Sequence, residues 1–283
     1  MKRVYETSRD ILIVLVVTFL LMLAAQILPY IFGFLGISYQ FLSSTNVGML
    51  LTLWSEIVGV LLIIWIYRRN RQIVALDFRD WHHYLNGIWG GLGLFALVWL
   101  ISVFLKGFTI SWVFKPSSIG IIILLFGGFL IQSFFEELLC RGYVMGYFLS
   151  KDRTVLAVIL NSLIFAALHM ANPGVNWLAG VNLIMFALSM SFVRLIWDNL
   201  LINGAIHGAW NFAEGVLFGT SVYGTQNVAG LFQSHETGVS TLINGGTFGL
   251  EASLICFVVY AVFLGWLVNK YRNMNRHVGL RFY

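Results

Sequence analysis

Charge is scarce in this chain: only 10% of its 283 residues are Asp, Glu, Lys or Arg, against roughly 25% in an average soluble protein. With 59% of the residues hydrophobic, so little charge cannot cover a water-soluble surface, whereas a bilayer accepts apolar faces in every direction. Cysteine is scarce too. Cys140 and Cys256 lie far apart in apolar stretches with no Cys-x-x-Cys spacing, which excludes a disulfide framework and leaves two small buried hydrophobes. No internal repeat, no separate soluble domain and no His-Glu-x-x-His signature is visible. The net charge of +5 does not point to nucleic acid, because the 17 Lys and Arg are scattered in short clusters between apolar runs, a footprint of membrane topology.

What the chain does have is a series of apolar runs near the length of about 20 residues that crosses a hydrocarbon core. They fall near 11–36, 47–67, 86–105, 118–148, 154–171, 176–197, 199–219 and 251–268. This pattern predicts an all-α polytopic membrane protein of about eight helices, a single membrane domain over 1–283, with the fifth and sixth spans the shortest. Lys2, Arg3 and Arg9 before the first run imitate a signal peptide, but the run is too long and lacks a clean small-x-small site, so the helix is read as retained.

The basic residues set the expected orientation. With the N-terminus in the cytoplasm, the inner ends hold Lys2, Arg3, Arg9, Arg68, Arg69, Arg71, Arg79, Lys151, Arg153, Arg194, Lys270, Arg272, Arg276 and Arg281, while Lys106 and Lys115 remain outside. Both termini are therefore expected in the cytoplasm, and the polar stretch 220–250 outside, long enough to be functional or disordered. Gly87 with Gly91, and Gly142 with Gly146, read as places of close helix approach.

Ionisable groups within a span are costly and mark function by default. Glu136 and Glu137 sit in the fourth span, His169 ends the fifth, His207 and Glu214 lie in the seventh, and Glu56 stands alone in the second. Glu137 and Arg141 are one helical turn apart on one face. Arg141 can thus neutralise Glu137, leaving Glu136 to hold a water. Asp152, at the turn, is 16 residues after Glu136 and 17 before His169, so those two side chains share a depth in an antiparallel hairpin and can activate one water between them.

His207 and Asn211 also share a face and can donate to a tetrahedral oxyanion, although alone they equally suit interhelical hydrogen bonding. His207 is about 13 Å of helix from Asp198, and Glu136 about 24 Å from Asp152. Their depths match only if the Lys151 hairpin projects beyond the membrane, with the site then opening towards the cytoplasm.

Three motifs appear in order: Glu136-Glu137-x-x-x-Arg141, Phe165-x-x-x-His169 and His207-x-x-x-Asn211. Together they resemble the CPBP family of intramembrane CAAX-prenyl endopeptidases and bacteriocin-processing or self-immunity proteins, once called abortive-infection proteins. The resemblance covers the catalytic core, about 118–219. It implies a glutamate-type intramembrane peptidase in which Glu136 and His169 activate water and His207 and Asn211 hold the oxyanion, supported by Glu137 and Arg141. It also implies a membrane-associated peptide or protein substrate and a bacterial plasma membrane as location. No cofactor and no metal is called for, and no nucleic-acid partner; the bilayer is the other partner, and the oligomeric state is left open. The chain closes on Leu280-Arg281-Phe282-Tyr283, with no prenylation box of its own.

Three rivals stand beside this reading. A zinc protease would draw its ligands from three helices, although Asn211 suits an oxyanion better than zinc. A non-catalytic membrane scaffold would retain the motifs without turnover. A transporter would use the carboxylates and histidines as a proton relay. Of the remaining candidates, Glu56 lines a cavity or pairs with a polar neighbour, and Glu214 positions Asn211 or a substrate amine. His82 and His83 beside Trp81 and Tyr84 form an interfacial belt, and His235 and His277 carry no signal.

Overall fold

The computed structural model describes residues 2–220 and 229–277. Residues 221–228 of the polar stretch, the closing Leu280-Arg281-Phe282-Tyr283 and the side chain of His277 lie outside the described residues. The helices run α1 (Lys2–Ala25), α2 (Ile27–Phe34), α3 (Tyr39–Ser44), α4 (Asn46–Ser55), α5 (Ile57–Tyr67), α6 (Trp81–Phe104) and α7 (Ile119–Glu137). A π-helix, Leu138–Val144, then carries α7 into α8 (Met145–Leu149). After it come α9 (Thr154–His169), α10 (Trp177–Trp197), α11 (Leu200–Phe212) with a π-helical end Ala213–Leu217, α12 (Thr241–Asn244) and α13 (Leu254–His277).

Among the described residues, six stretches are long and apolar enough to cross a membrane: Tyr5–Ala25, Asn46–Tyr67, Trp81–Phe104, Pro116–Leu149, Trp177–Trp197 and Leu254–Arg276. Helix α9 is a shorter apolar one. The protein is therefore an all-α polytopic membrane protein, with a helix at each of the eight expected places. Three particulars differ from expectation. The first apolar run is not one helix: Pro29 has no N–H to bond the Ala25 carbonyl, so α1 ends at Ala25 and α2 starts anew after Gln26. The sixth helix is a full 21 residues, whereas α11 has only 13 before its π-helical end. Finally, the described part of the 220–250 stretch is a folded cap. Strand β1 (Phe108–Trp112) pairs antiparallel with β2 (Phe232–Glu236), Trp99 Nε1 donates to Ser234 Oγ at 2.9 Å, and Phe248 and Leu250 are buried beneath.

Helix α11 is short because it does not face lipid. Every residue from Ile202 to Phe212 is buried, held between α6 and α7 by glycines on α6 and on α11 itself. A Cβ on Gly91 of α6 would sit 2.2 Å from the Ile206 carbonyl oxygen, and one on Gly208 of α11 would sit 2.9 Å from Leu130 Cα of α7. Backbones this close are what small residues permit between membrane helices. The Gly142 and Gly146 pair makes a similar approach, abutting the carbonyls of Ile73 and Gln72.

That second contact fixes the depth of the elements. The 70–77 segment also accepts from Arg194 Nη2 through the Gln72 carbonyl, and from the Leu200 N–H through the Ala75 carbonyl. The Asp198 turn is therefore level with Gly142–Gly146, near the end of the fourth span, and the Lys151 hairpin projects beyond it, as the depth argument requires. At that projecting end Asp10 of α1 is buried and binds Lys151 Nζ at 2.7 Å, Arg153 Nη1 at 3.4 Å and the Tyr147 hydroxyl at 3.2 Å. The basic turns thus gather at one end of the bundle, and the β1–β2 cap lies at the other.

Candidate active site

Glu136 and Glu137 are the last two residues of α7, and the π-helix that follows carries Arg141. The expected pairing forms there: Arg141 Nη1 donates to Glu137 Oε1 at 3.0 Å, with both side chains fully buried. Glu137 also accepts from His207 Nδ1 at 3.0 Å and from Asn203 Nδ2 at 3.2 Å. A buried carboxylate is tolerated only when paired and hydrogen-bonded, and here α7 and α11 are joined through it.

Glu136 points the other way, into a cavity of about 620 Å³ whose polar lining includes Gln132, His169 and Asn211. Gln132 Nε2 donates a short hydrogen bond to Glu136 Oε1. Its other oxygen, Oε2, is 3.7 Å from His169 Nε2 and 3.8 Å from His207 Nε2. Both distances exceed a direct hydrogen bond, and Oε2 is left without a hydrogen-bond partner.

The tautomers follow from the partners. His169 Nδ1 lies 2.8 Å from the Phe165 carbonyl oxygen, which only accepts, so Nδ1 carries the proton and Nε2 faces Glu136. His207 Nδ1 likewise faces a carboxylate oxygen and donates to it, turning its Nε2 to Glu136. Phe165 supports all of this: its ring packs on His169 at 4.6 Å between centroids, meets His207 edge-on at 5.9 Å and lies 4.5 Å from Arg141 Cζ.

Asn211 behaves differently from expectation. Its Nδ2 donates to Ser133 Oγ at 3.2 Å and to Gln132 Oε1 at 3.4 Å, while its Oδ1 makes no hydrogen bond. Asn211 is thereby linked through Gln132 to Glu136. Glu214 also departs from its expected place. The π-helical turn after Phe212 rotates it off the face of Asn211, and it sits fully buried towards the Leu250–Glu251 turn.

The cavity mouth is the third correction. Gly33, Ile37, Tyr39, Ser43 and Pro173 are among the residues lining the cavity, at the helix ends opposite to the Arg68–Arg71 and Lys151–Arg153 turns. The site opens away from the basic end, because His169 is the last residue of α9 and Glu136 is a full α8 and π-helix removed from the Lys151 turn. The other histidines with described side chains lie elsewhere: His83 pairs with Asp80, His82 lies tilted against Trp81, and His235 Nε2 is 3.1 Å from Ser111 Oγ in the cap.

All six expected residues come together, and the structure adds Gln132, Ser133 and Asn203. Gln132 precedes Glu136 by four residues and Asn203 precedes His207 by four. The same helical spacing that paired Glu137 with Arg141 would have found both.

No curated protein matches the chain. A family model does: residues 118–213 match the model described as Type II CAAX prenyl endopeptidase Rce1-like, a protease family. The matched segment contains Glu136, Glu137, Arg141, Phe165, His169, His207 and Asn211, so the resemblance carried by the three motifs is borne out over the segment that carries them.

Proposed function

We propose that this chain is an intramembrane endopeptidase that hydrolyses peptide bonds of membrane-associated peptides or proteins with a glutamate-activated water. The observation that carries the reading is Glu136 Oε2, set between two imidazole Nε2 atoms at 3.7 and 3.8 Å. A water bridging Glu136 and His169 gives its proton to Glu136 as its oxygen attacks the scissile carbonyl carbon. The tetrahedral oxyanion then needs donors aimed at it. His207 supplies one from Nε2 when both its nitrogens carry protons. The charges of Glu136, Glu137, Arg141 and His207 then sum to zero. Collapse of the intermediate breaks the C–N bond, and Glu136 returns its proton to the departing amine.

Asn211 contributes the second donor by turning over its amide. Ser133 Oγ can accept from Asn211 Nδ2 or donate to Asn211 Oδ1, so that contact survives either orientation and Nδ2 is released to the oxyanion. Gln132 orients Glu136 throughout. The proposed unit is one membrane domain over 1–283, with its catalytic core at about 118–219.

The basic end of the bundle is assigned to the cytoplasm, most simply of a bacterial plasma membrane, so the cavity opens to the opposite side. Cysteine placed at Gly238 is expected to react with an impermeant maleimide added outside, and cysteine at Asn273 only after permeabilisation. Labelling of both from one side overturns the orientation. A zinc protease would draw on the same glutamate and histidines. Purified protein is expected to keep its turnover in a strong chelator; loss of turnover that added zinc restores would replace the water-activating role of Glu136 with a metal one.

A further inference from the structure

The cavity holds a second carboxylate that the hydrolytic chemistry does not use. Glu56 stands at the break between α4 and α5, and Gln26 at the break between α1 and α2. Both line the same cavity as Glu136. Gln26 Nε2 donates to Glu56 Oε1 at 3.1 Å, while Glu56 Oε2 has no hydrogen-bond partner although the residue is only 7% exposed. The charge of Glu137 is answered by Arg141, but no Lys or Arg is among the described residues that line the cavity. Around the two carboxylates the wall is apolar, with Met22, Leu53, Phe129 and Leu168, and such a setting makes an uncompensated buried charge expensive.

Resting on the peptidase reading above, we infer that Glu56 is a specificity site that binds a cationic side chain, Lys or Arg, of the substrate peptide. The bound ammonium or guanidinium donates to Glu56 Oε2 and supplies the positive charge the cavity lacks. Because Glu56 and Glu136 share one cavity of about 620 Å³, the cationic residue lies within a few positions of the scissile bond. Gln26 holds the carboxylate in place from the side away from the ligand.

The test uses detergent-solubilised full-length protein and fluorescein-labelled alanine–leucine peptides, each with one lysine, norleucine or glutamate moved through the sequence. Binding is measured on Glu136→Gln protein, where no peptide is consumed, and kcat/KM on the otherwise unaltered chain. A charge-assisted hydrogen bond shielded from water predicts that the best lysine peptide binds about tenfold to a hundredfold more tightly than its norleucine counterpart.

Glu56→Gln, which keeps the contact to Gln26, is expected to bring the lysine-to-norleucine ratio close to one, and Glu56→Lys to move the preference to the glutamate peptide. Melting curves verify that each variant is folded, and Glu56→Asp, with its charge kept and its reach shortened, is expected to retain a ratio above that of Glu56→Gln. A lysine preference absent from the unaltered chain, or one unchanged across these Glu56 variants, overturns the inference. If the preference in binding depends on Glu56 but no peptide is cleaved, the peptidase reading fails and the cation site stands.

Discussion

Replacing Glu136 with Gln is expected to lower turnover by about 10²–10⁴-fold, the range for loss of a positioned general base, with the melting temperature close to that of the unaltered protein. The two outcomes separate because Glu136 is not what binds the helices together. Its Oε2 makes no protein hydrogen bond and its Oε1 takes only Gln132, so an amide of the same shape disturbs little. His169→Ala is expected to lose turnover to a similar degree, since His169 forms the other wall of the water site. Glu137→Gln should look different. It weakens a carboxylate that Arg141, His207 and Asn203 all share, and disrupting a buried ion pair costs about 3–5 kcal/mol, so activity and stability should fall together, as they should for Arg141→Ala. Turnover and thermal unfolding of all four variants in one detergent make the comparison. Near-normal turnover by Glu136→Gln would leave the non-catalytic scaffold as the better reading.

The second large effect concerns His207 and Asn211. If they donate to the developing oxyanion, each truncation to Ala acts mainly in the transition state and lowers kcat by about 10²–10³-fold, with KM little changed. Simple interhelical bonding predicts a loss of roughly 0.6–2 kcal/mol in stability with no selective effect on turnover. The resting arrangement sharpens the test at Asn211, whose amide is engaged with Ser133 and Gln132. Ser133→Ala removes the hydroxyl that either amide orientation can use, and should lower kcat less than Asn211→Ala does. If Asn211→Ala and His207→Ala lose stability yet keep most of their turnover per folded molecule, α11 has only a packing role, and the water-activating pair is all that remains of the mechanism.

The helices were legible in the sequence because apolar run length reports directly on a membrane crossing, and the pairing of Glu137 with Arg141 because helical spacing survives into the π-helix. The meeting of Glu136 with His169 was legible from equal distances to one turn. Other features depend on groups that sequence spacing does not bring together. The break at Gln26 hangs on one missing N–H at Pro29, inside a run whose hydropathy is uniform. The cap pairs residues 108–112 with 232–236, a contact between segments with no shared periodicity. The direction of the cavity mouth depends on where α2 and α3 fold back, which hydropathy does not encode. Glu214 was misplaced because a π-helical turn shifts phase relative to the 3.6-residue repeat.

The glycine-lined seat of α11 bears on how the protein is made. Asn203, His207, Asn211 and Glu214 would be costly for a lone helix to carry into lipid, and its 13 regular residues are short for the purpose. Its two walls, α6 and α7, precede it in the chain and leave the ribosome first, so the slot exists before its occupant is synthesised. Until α11 enters, Glu137 lacks two of its donors and Glu136 has only one of its two imidazoles. A nascent chain held at this stage would carry only half of the proposed catalytic centre, and the entry of α11 is the step of biogenesis that brings its two halves together.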